Sequence, residues 1–169
     1  MVRKVKMKQK TVLIVIGIIT FAILGTGAWL LSRPTGVEVE KSDQAKAEVG
    51  ETNYDWGEIK INGGNTEKVF LIKNTGTGPL KLSGVSTSCM CTIAQVIIDG
   101  KESPFFAMHQ KSSWVGEIPA GKEAELKIVF DPAFHGPSGV GQMIRQIVVE
   151  TNDKDNPQLE FMLKGNVVK

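Results

Sequence analysis

Glu123-Ala124-Glu125-Leu126-Lys127-Ile128-Val129-Phe130 alternates apolar and polar residues almost without a break. Successive side chains of a strand point to opposite faces, so Ala124, Leu126, Ile128 and Phe130 fall on one face and Glu123, Glu125 and Lys127 on the other. That pattern predicts a strand with one face in a core. Upstream, Asn53 to Ile61 reads the same way and is closed by Asn62-Gly63-Gly64-Asn65. Glu67 to Lys73 follows and ends at Asn74-Thr75-Gly76-Thr77-Gly78-Pro79. Leu80, Leu82 and Val85 mark a further strand, with Gly84 predicted as a bulge, and Thr92 to Ile98 another, stopped by Asp99-Gly100. Downstream, Met143 to Glu150 and Leu159 to Val168 complete the set. Short alternating runs separated by Gly, Asn and Pro turns predict an all-β fold, an antiparallel sandwich of about seven strands over residues 50–169.

Toward the N-terminus the pattern changes. Thr11 to Leu31 is a run of 21 residues without a charge. As a helix it would extend about 31 Å, enough for a bilayer core. Arg3, Lys4, Lys6, Lys8 and Lys10 precede it with no acid among them. The positive-inside rule then predicts a basic cytoplasmic tail over residues 1–10, a transmembrane signal anchor over 11–31 with Trp29 near the far interface, and a C-terminal part in the periplasm or outside the cell. A cleaved signal peptide is the competing reading, with Thr26-Gly27-Ala28 as its site, but Trp29-Leu30-Leu31 prolongs the apolar run beyond it. Residues 32–49, with Pro34, Gly36 and mixed charges, are expected to be a linker.

The formal charge of +2 is dominated by the basic tail. Without those five residues, 15 Lys and Arg face 18 Asp and Glu, leaving about −3. No basic stripe for nucleic acid is present in that balance. No phosphate-cradling loop appears either, since Gly76 and Gly78 precede Pro79 in a strand-to-strand turn.

Two features stand apart from the strand pattern. Lys101 to Glu117 is long for a connection and carries Phe105, Phe106, Met108, His109 and Trp114. Such a segment either binds something or packs onto the body by its own aromatics. The other feature is Ser88-Cys89-Met90-Cys91-Thr92, which holds both cysteines of the chain.

These pieces, in this order, resemble the immunoglobulin-like family known as domain of unknown function 1573, a β-sandwich of the Hydin and major-sperm-protein type. The resemblance rests on Asp55-Trp56-Gly57-Glu58-Ile59, on Phe70-Leu71-Ile72-Lys73-Asn74-Thr75-Gly76 with Pro79-Leu80, and on the Ser-Cys-x-Cys-Thr signature. It extends through Ile118-Pro119-Ala120-Gly121-Lys122, Ile128-Val129-Phe130-Asp131, Val149-Glu150-Thr151-Asn152-Asp153 and Leu163-Lys164-Gly165-Asn166-Val167. Met90 stands where that family has glycine, and the segment from Thr92 to Ile118 is longer than its usual connection. The resemblance implies an immunoglobulin-like fold in an exported, often membrane-tethered setting, and no established activity.

For Cys89 and Cys91, placed on a strand with both sulfurs on one face, three readings stand. They are buried small hydrophobes; or a disulfide, which an oxidising compartment permits and a local bulge would have to accommodate; or two soft ligands for Cu(I) or zinc. Met90, Met108, His109, His135 and Met143 are the further donors, and Met108-His109 in the long insertion is expected to complete a set with Cys89 and Cys91. No Cys-His-Asn signature points to catalysis, so no catalytic residue and no small-molecule substrate is assigned. The expected function is a non-enzymatic, membrane-anchored interaction or accessory module for another membrane or envelope protein, with Phe105, Phe106 and Trp114 as its contact surface. The alternative is a Cu(I)-binding or thiol-redox protein.

Overall fold

A computed structural model describes residues 9–31, 37, 39–110 and 112–169. The chain divides into two units, Met1–Thr35 and Gly36–Lys169. In the first, Gln9–Leu31 forms helix α1. Its side chains are described over residues 14–26 and all are exposed, Ile18 and Phe21 among them. The hydroxyls of Thr20 and Thr26 donate back to the carbonyl oxygens of Ile16 and Ala22 at 2.9 and 2.8 Å, so both are satisfied within the helix. Among the described residues, no helix is long and apolar enough to cross a membrane. The basic tail over residues 1–8, the Trp29 side chain, and linker residues 32–36 and 38 lie outside the described residues.

The second unit is two five-stranded sheets. One contains β1 (Ala47–Val49), β3 (Thr66–Asn74), β5 (Thr92–Ile98), β6 (Lys101–Glu102) and β8 (Glu123–Phe130), in the order β1-β3-β8-β5-β6. The other contains β2 (Asn53–Lys60), β4 (Leu80–Thr87), β7 (Gly116–Ile118), β9 (Gly141–Thr151) and β10 (Gln158–Val168), in the order β2-β10-β9-β4-β7. All seven expected strands form, within a residue or two of their sequence bounds, and β1, β6 and β7 are added to them.

Strand β8 lies at the centre of its sheet with Ala124, Leu126, Ile128 and Phe130 buried, as its alternation requires. From the facing sheet come Ile147, Val149, Phe161 and Leu163, and the rings of Phe70 and Phe161 meet with centroids 4.9 Å apart. Each such fully buried apolar side chain contributes about 1.5–3 kcal/mol relative to exposure. Gly84 sits where the β4–β9 register shifts between Ser83 and Ser86. Its φ is +57°, a left-handed conformation that favours glycine, and a side chain there would also have to displace the Glu150 carboxylate.

Three expectations are corrected. The sheets are not wholly antiparallel, because β10 runs parallel to β2. The first long strand of the domain enters the sheet at the edge beside the last, with their directions matched.

The linker is also shorter than 32–49, since Ala45 is fully buried and β1 pairs with β3. Asp153 holds this entry in place. It is buried, and its carboxylate accepts from Ala47 N at 2.9 Å, Asp155 N at 2.9 Å and Asn156 Nδ2 at 3.1 Å. Burial raises the Asp153 pKa, but these donors and Lys46 outweigh it and hold the pKa below the ordinary carboxylate value. Asp153→Asn is therefore expected to destabilise the sandwich by about 1–3 kcal/mol at neutral pH, leaving backbone donors without their anion. A folded-state pKa below the unfolded one gives stability that is complete above the unfolded value, near 3.9, and is lost as pH falls through the folded value. The gap between the two proteins should close below about pH 4, which urea unfolding at several pH values would measure.

Third, the long insertion is not a free aromatic surface. Ser103 and Phe106 extend the edge of the first sheet, with Ala94 and Phe106 exchanging backbone hydrogen bonds of 2.9 and 2.8 Å. Phe106 is 1% exposed, inside the main core. Trp114 packs on it at 5.4 Å between centroids and lies over Gly116, where a Cβ would come within 2.3 Å of the indole. Only Phe105 of the three aromatics stays exposed, at 53%. The segment carries Ser103 and Phe106 onto the body, while Pro104 and Phe105 between them stay exposed.

Candidate functional site

Cys89 and Cys91 are not on a strand. They lie in the turn that carries the chain from β4 in one sheet to β5 in the other, closed by Thr92 N donating to Cys89 O at 3.1 Å. Thr87 Oγ1 donates to the carbonyl oxygens of Cys89 and Thr92, at 3.0 and 2.9 Å, and holds the two arms of the turn together. The compact turn brings the Cα atoms to 5.3 Å and the two cysteines are joined as a disulfide. That spacing lies within the range a disulfide requires, which a flat strand would strain to supply. Met90 at the tip is half exposed and does not adopt a positive φ, so the backbone freedom of a glycine is not needed there.

The two sulfurs differ in surroundings. Cys91 is 3% exposed and packs in a small apolar cluster with Ile59, Ile61, Phe130, Met143 and Val167, while Cys89 is half-buried at its margin. Cys91 O accepts from Asp131 N at 2.9 Å, which continues the β5–β8 ladder past the pair Thr92 and Phe130. The chain after β8 is thereby delivered beside the cysteine turn. There Asp131 Oδ1 accepts from Ala133 N at 2.9 Å, and the following tight turn presents His135, exposed, with Nε2 3.4 Å from Cys89 Sγ.

A fourth group was not expected from the sequence. Arg145 Nε donates to Cys91 Sγ at 3.1 Å, and its guanidinium carbon stands 5.5 Å from the centre of the Phe130 ring. In β9 the residues Met143, Ile147, Val149 and Thr151 are buried, so Arg145 occupies a core-facing position of that alternation. Among the described residues it makes no ion pair with a carboxylate. Burial lowers its pKa from the ordinary guanidinium value, yet an arginine stays a cation in proteins. The detectable signal was this break in period: a lone arginine where Met143-x-Arg145-x-Ile147 demands an apolar residue.

Sγ of Cys89, Sγ of Cys91 and a ring nitrogen of His135 lie within 4.8 Å of one another. Met108 and His109 do not join this group; His109 is exposed, at a φ of +60°. After Phe106 pairs with Ala94 the segment turns at Met108 and His109. When the disulfide is reduced, two sulfurs and an imidazole form a soft donor set. When it is formed, His135 and Arg145 each stand against one of its two sulfurs. A surface groove of about 360 Å³ lies elsewhere, along β2, β9 and β10 between Asp55, Gln142 and Lys164, and holds neither sulfur.

Two packed sheets, closed at one end by a disulfide turn, define an immunoglobulin-like β-sandwich. The chain belongs to the HYDIN/CFA65/VesB-like family of Ig-like domains, whose sequence pattern matches residues 45–166. Among solved structures it is similar to a protein of unknown function from Porphyromonas gingivalis W83, with TM-score 0.56 and 23% identity over 76% of this chain. This chain spans 49% of that protein's length. A looser likeness is to an ASH/PapD-like domain of human CEP192, at TM-score 0.48 and 18% identity, covering 82% of this chain and 95% of that one. Another is to the secreted serine protease VesC from Vibrio cholerae, at TM-score 0.43 and 10% identity over 75% of this chain and 23% of the protease. No curated protein matches the chain.

Proposed function

We propose that the chain is a single-pass membrane protein whose sandwich stands outside the cytoplasm and works by contact with another membrane or envelope protein, not as an enzyme. Support for the anchor comes from the 21 uncharged residues behind five basic ones, and from helix α1, whose described side chains are apolar and exposed over most of their length. Exposed isoleucines in such number favour a lipid surround over water. The Ser-Cys-Met-Cys-Thr stretch supports placing the chain, within its family, beside the proteins of domain of unknown function 1573.

The observation that carries the contact reading is the set of apolar side chains on loops. Met90 is 50% exposed and Phe134 51%, each adjacent in the chain to one member of the Cys89–His135 pair. Phe105 is a further exposed aromatic, and it takes the place of the three-aromatic surface that Phe106 and Trp114 cannot form. Large exposed apolar groups on loops suit a partner surface.

Extraction in mild detergent after cross-linking should recover the chain with a defined partner. The triple change Met90→Ser, Phe105→Ser and Phe134→Ser should cut recovery at least about tenfold, since each buried contact is worth on the order of 1 kcal/mol or more, without altering the melting temperature. A chain that always runs alone would sink the proposal.

A further inference from the structure

We propose that the Cys89–Cys91 disulfide is an exchangeable redox couple, in which an incoming thiolate attacks Cys89 and Cys91 departs as a thiolate held by Arg145. The inference does not depend on the identity of the partner above; it rests on how differently the two sulfurs are placed. Cys89, half-buried at the margin, is the sulfur an outside thiolate can approach. Cys91, 3% exposed, is shielded from attack. The cation is on the shielded sulfur, with Arg145 Nε at 3.1 Å. Exchange is faster when the departing sulfur is the better anion, so charge and access select the same bond-breaking direction. A core-facing arginine with no carboxylate within ion-pair distance among the described residues is costly for a sandwich to keep. A neighbour that becomes an anion explains its place.

The step balances with a dithiol as the co-reactant. One of its sulfurs, as thiolate, bonds to Cys89 Sγ; the Cys89–Cys91 bond breaks and its electron pair goes to Cys91 Sγ. The second dithiol sulfur, once deprotonated, attacks the first and releases Cys89, whose sulfur faces His135 Nε2 at 3.4 Å. The dithiol is oxidised to a disulfide and the cysteine pair is reduced by two electrons. Of the two dithiol protons, one goes to Cys89 by way of the imidazole and the other to solvent, because Cys91 remains the thiolate paired with Arg145. Reoxidation is the reverse, with His135 withdrawing the proton from Cys89.

The test uses the full chain in detergent micelles, purified without reductant, with dithiothreitol as the reducing probe and oxidised glutathione as the oxidising one. Thiols are trapped with a maleimide and counted by intact mass. Native protein should take no label before reductant and two after it. R145M should slow reduction about tenfold, and R145K should recover most of that rate, because the loss of a nearby cation makes Cys91 a poorer leaving group. H135Q, on the surface, should slow reoxidation about threefold.

Two labels before any reductant would overturn the proposal, as would a folded R145M that is reduced at the unaltered rate. If R145M does not fold, H135Q decides, and unchanged reoxidation in it overturns the proposal. One copper(I) retained per reduced chain against a competing chelator, and lost in H135Q, would assign the three groups to a metal and also overturn it.

Discussion

Phe106→Ala is expected to lower the stability of the sandwich by about 3–5 kcal/mol, the range for removing a buried phenylalanine and leaving a cavity that the surroundings fill only in part. Phe106 is 1% exposed, in contact with the main core and packed against the tilted ring of Trp114. Its backbone is tied to Ala94 by two hydrogen bonds, so the site cannot collapse freely around the missing ring. Trp114, which covers Gly116, should loosen as well, so its fluorescence should shift toward that of exposed indole before the global transition. Phe105→Ala, one residue away and 53% exposed, should stay within about 0.5 kcal/mol. Urea unfolding of the two variants side by side measures the contrast. Equal effects would mean that the edge segment does not bury Phe106 in preference to Phe105.

The double change Ile18→Arg and Ile19→Arg is expected to abolish membrane retention. Arginine at the centre of an apolar span costs about 2.5–3.5 kcal/mol, so two of them oppose insertion by about 5–7 kcal/mol. Ile18 and Ile19 are 64% and 53% exposed, and neither is needed for packing within the described part of the helix. Unaltered protein should stay in the membrane pellet through an alkaline wash, and the double variant should appear in the supernatant or be degraded. Protease added from outside should cut the sandwich but spare the basic tail. Unaltered protein that washes off at high pH would remove the anchor from the proposed function.

Most of the strand plan was readable in the residues because each strand buries one face, and burial on one face leaves a period-two trace. The three strands not foreseen, β1, β6 and β7, have three residues or fewer. A segment that short shows at most one alternation, and its pairing depends on an edge that exists only after the longer strands have assembled. Asp153 is a similar case. In the sequence it is only the last residue of the Val149-Glu150-Thr151-Asn152-Asp153 stretch, yet it anchors Ala47 to the domain through a hydrogen bond between residues 106 apart.

The candidate site divides along the same line. By itself the sequence determined that two sulfurs lie one residue apart between strand-forming runs, that β8 buries Phe130, and that an uncharged run follows a basic start; these are local patterns with local causes. Only the tertiary structure decided that His135 and not His109 meets the sulfurs, that Cys91 is shielded and Cys89 is not, and that Arg145 faces inward. His135 and Arg145 are 46 and 54 residues from their cysteines. The physical reason is strand pairing: the β5–β8 register that sets Thr92 against Phe130 carries the His135 turn to Cys89. The packing of the two sheets then turns the core-facing side of β9, and Arg145 with it, onto Cys91.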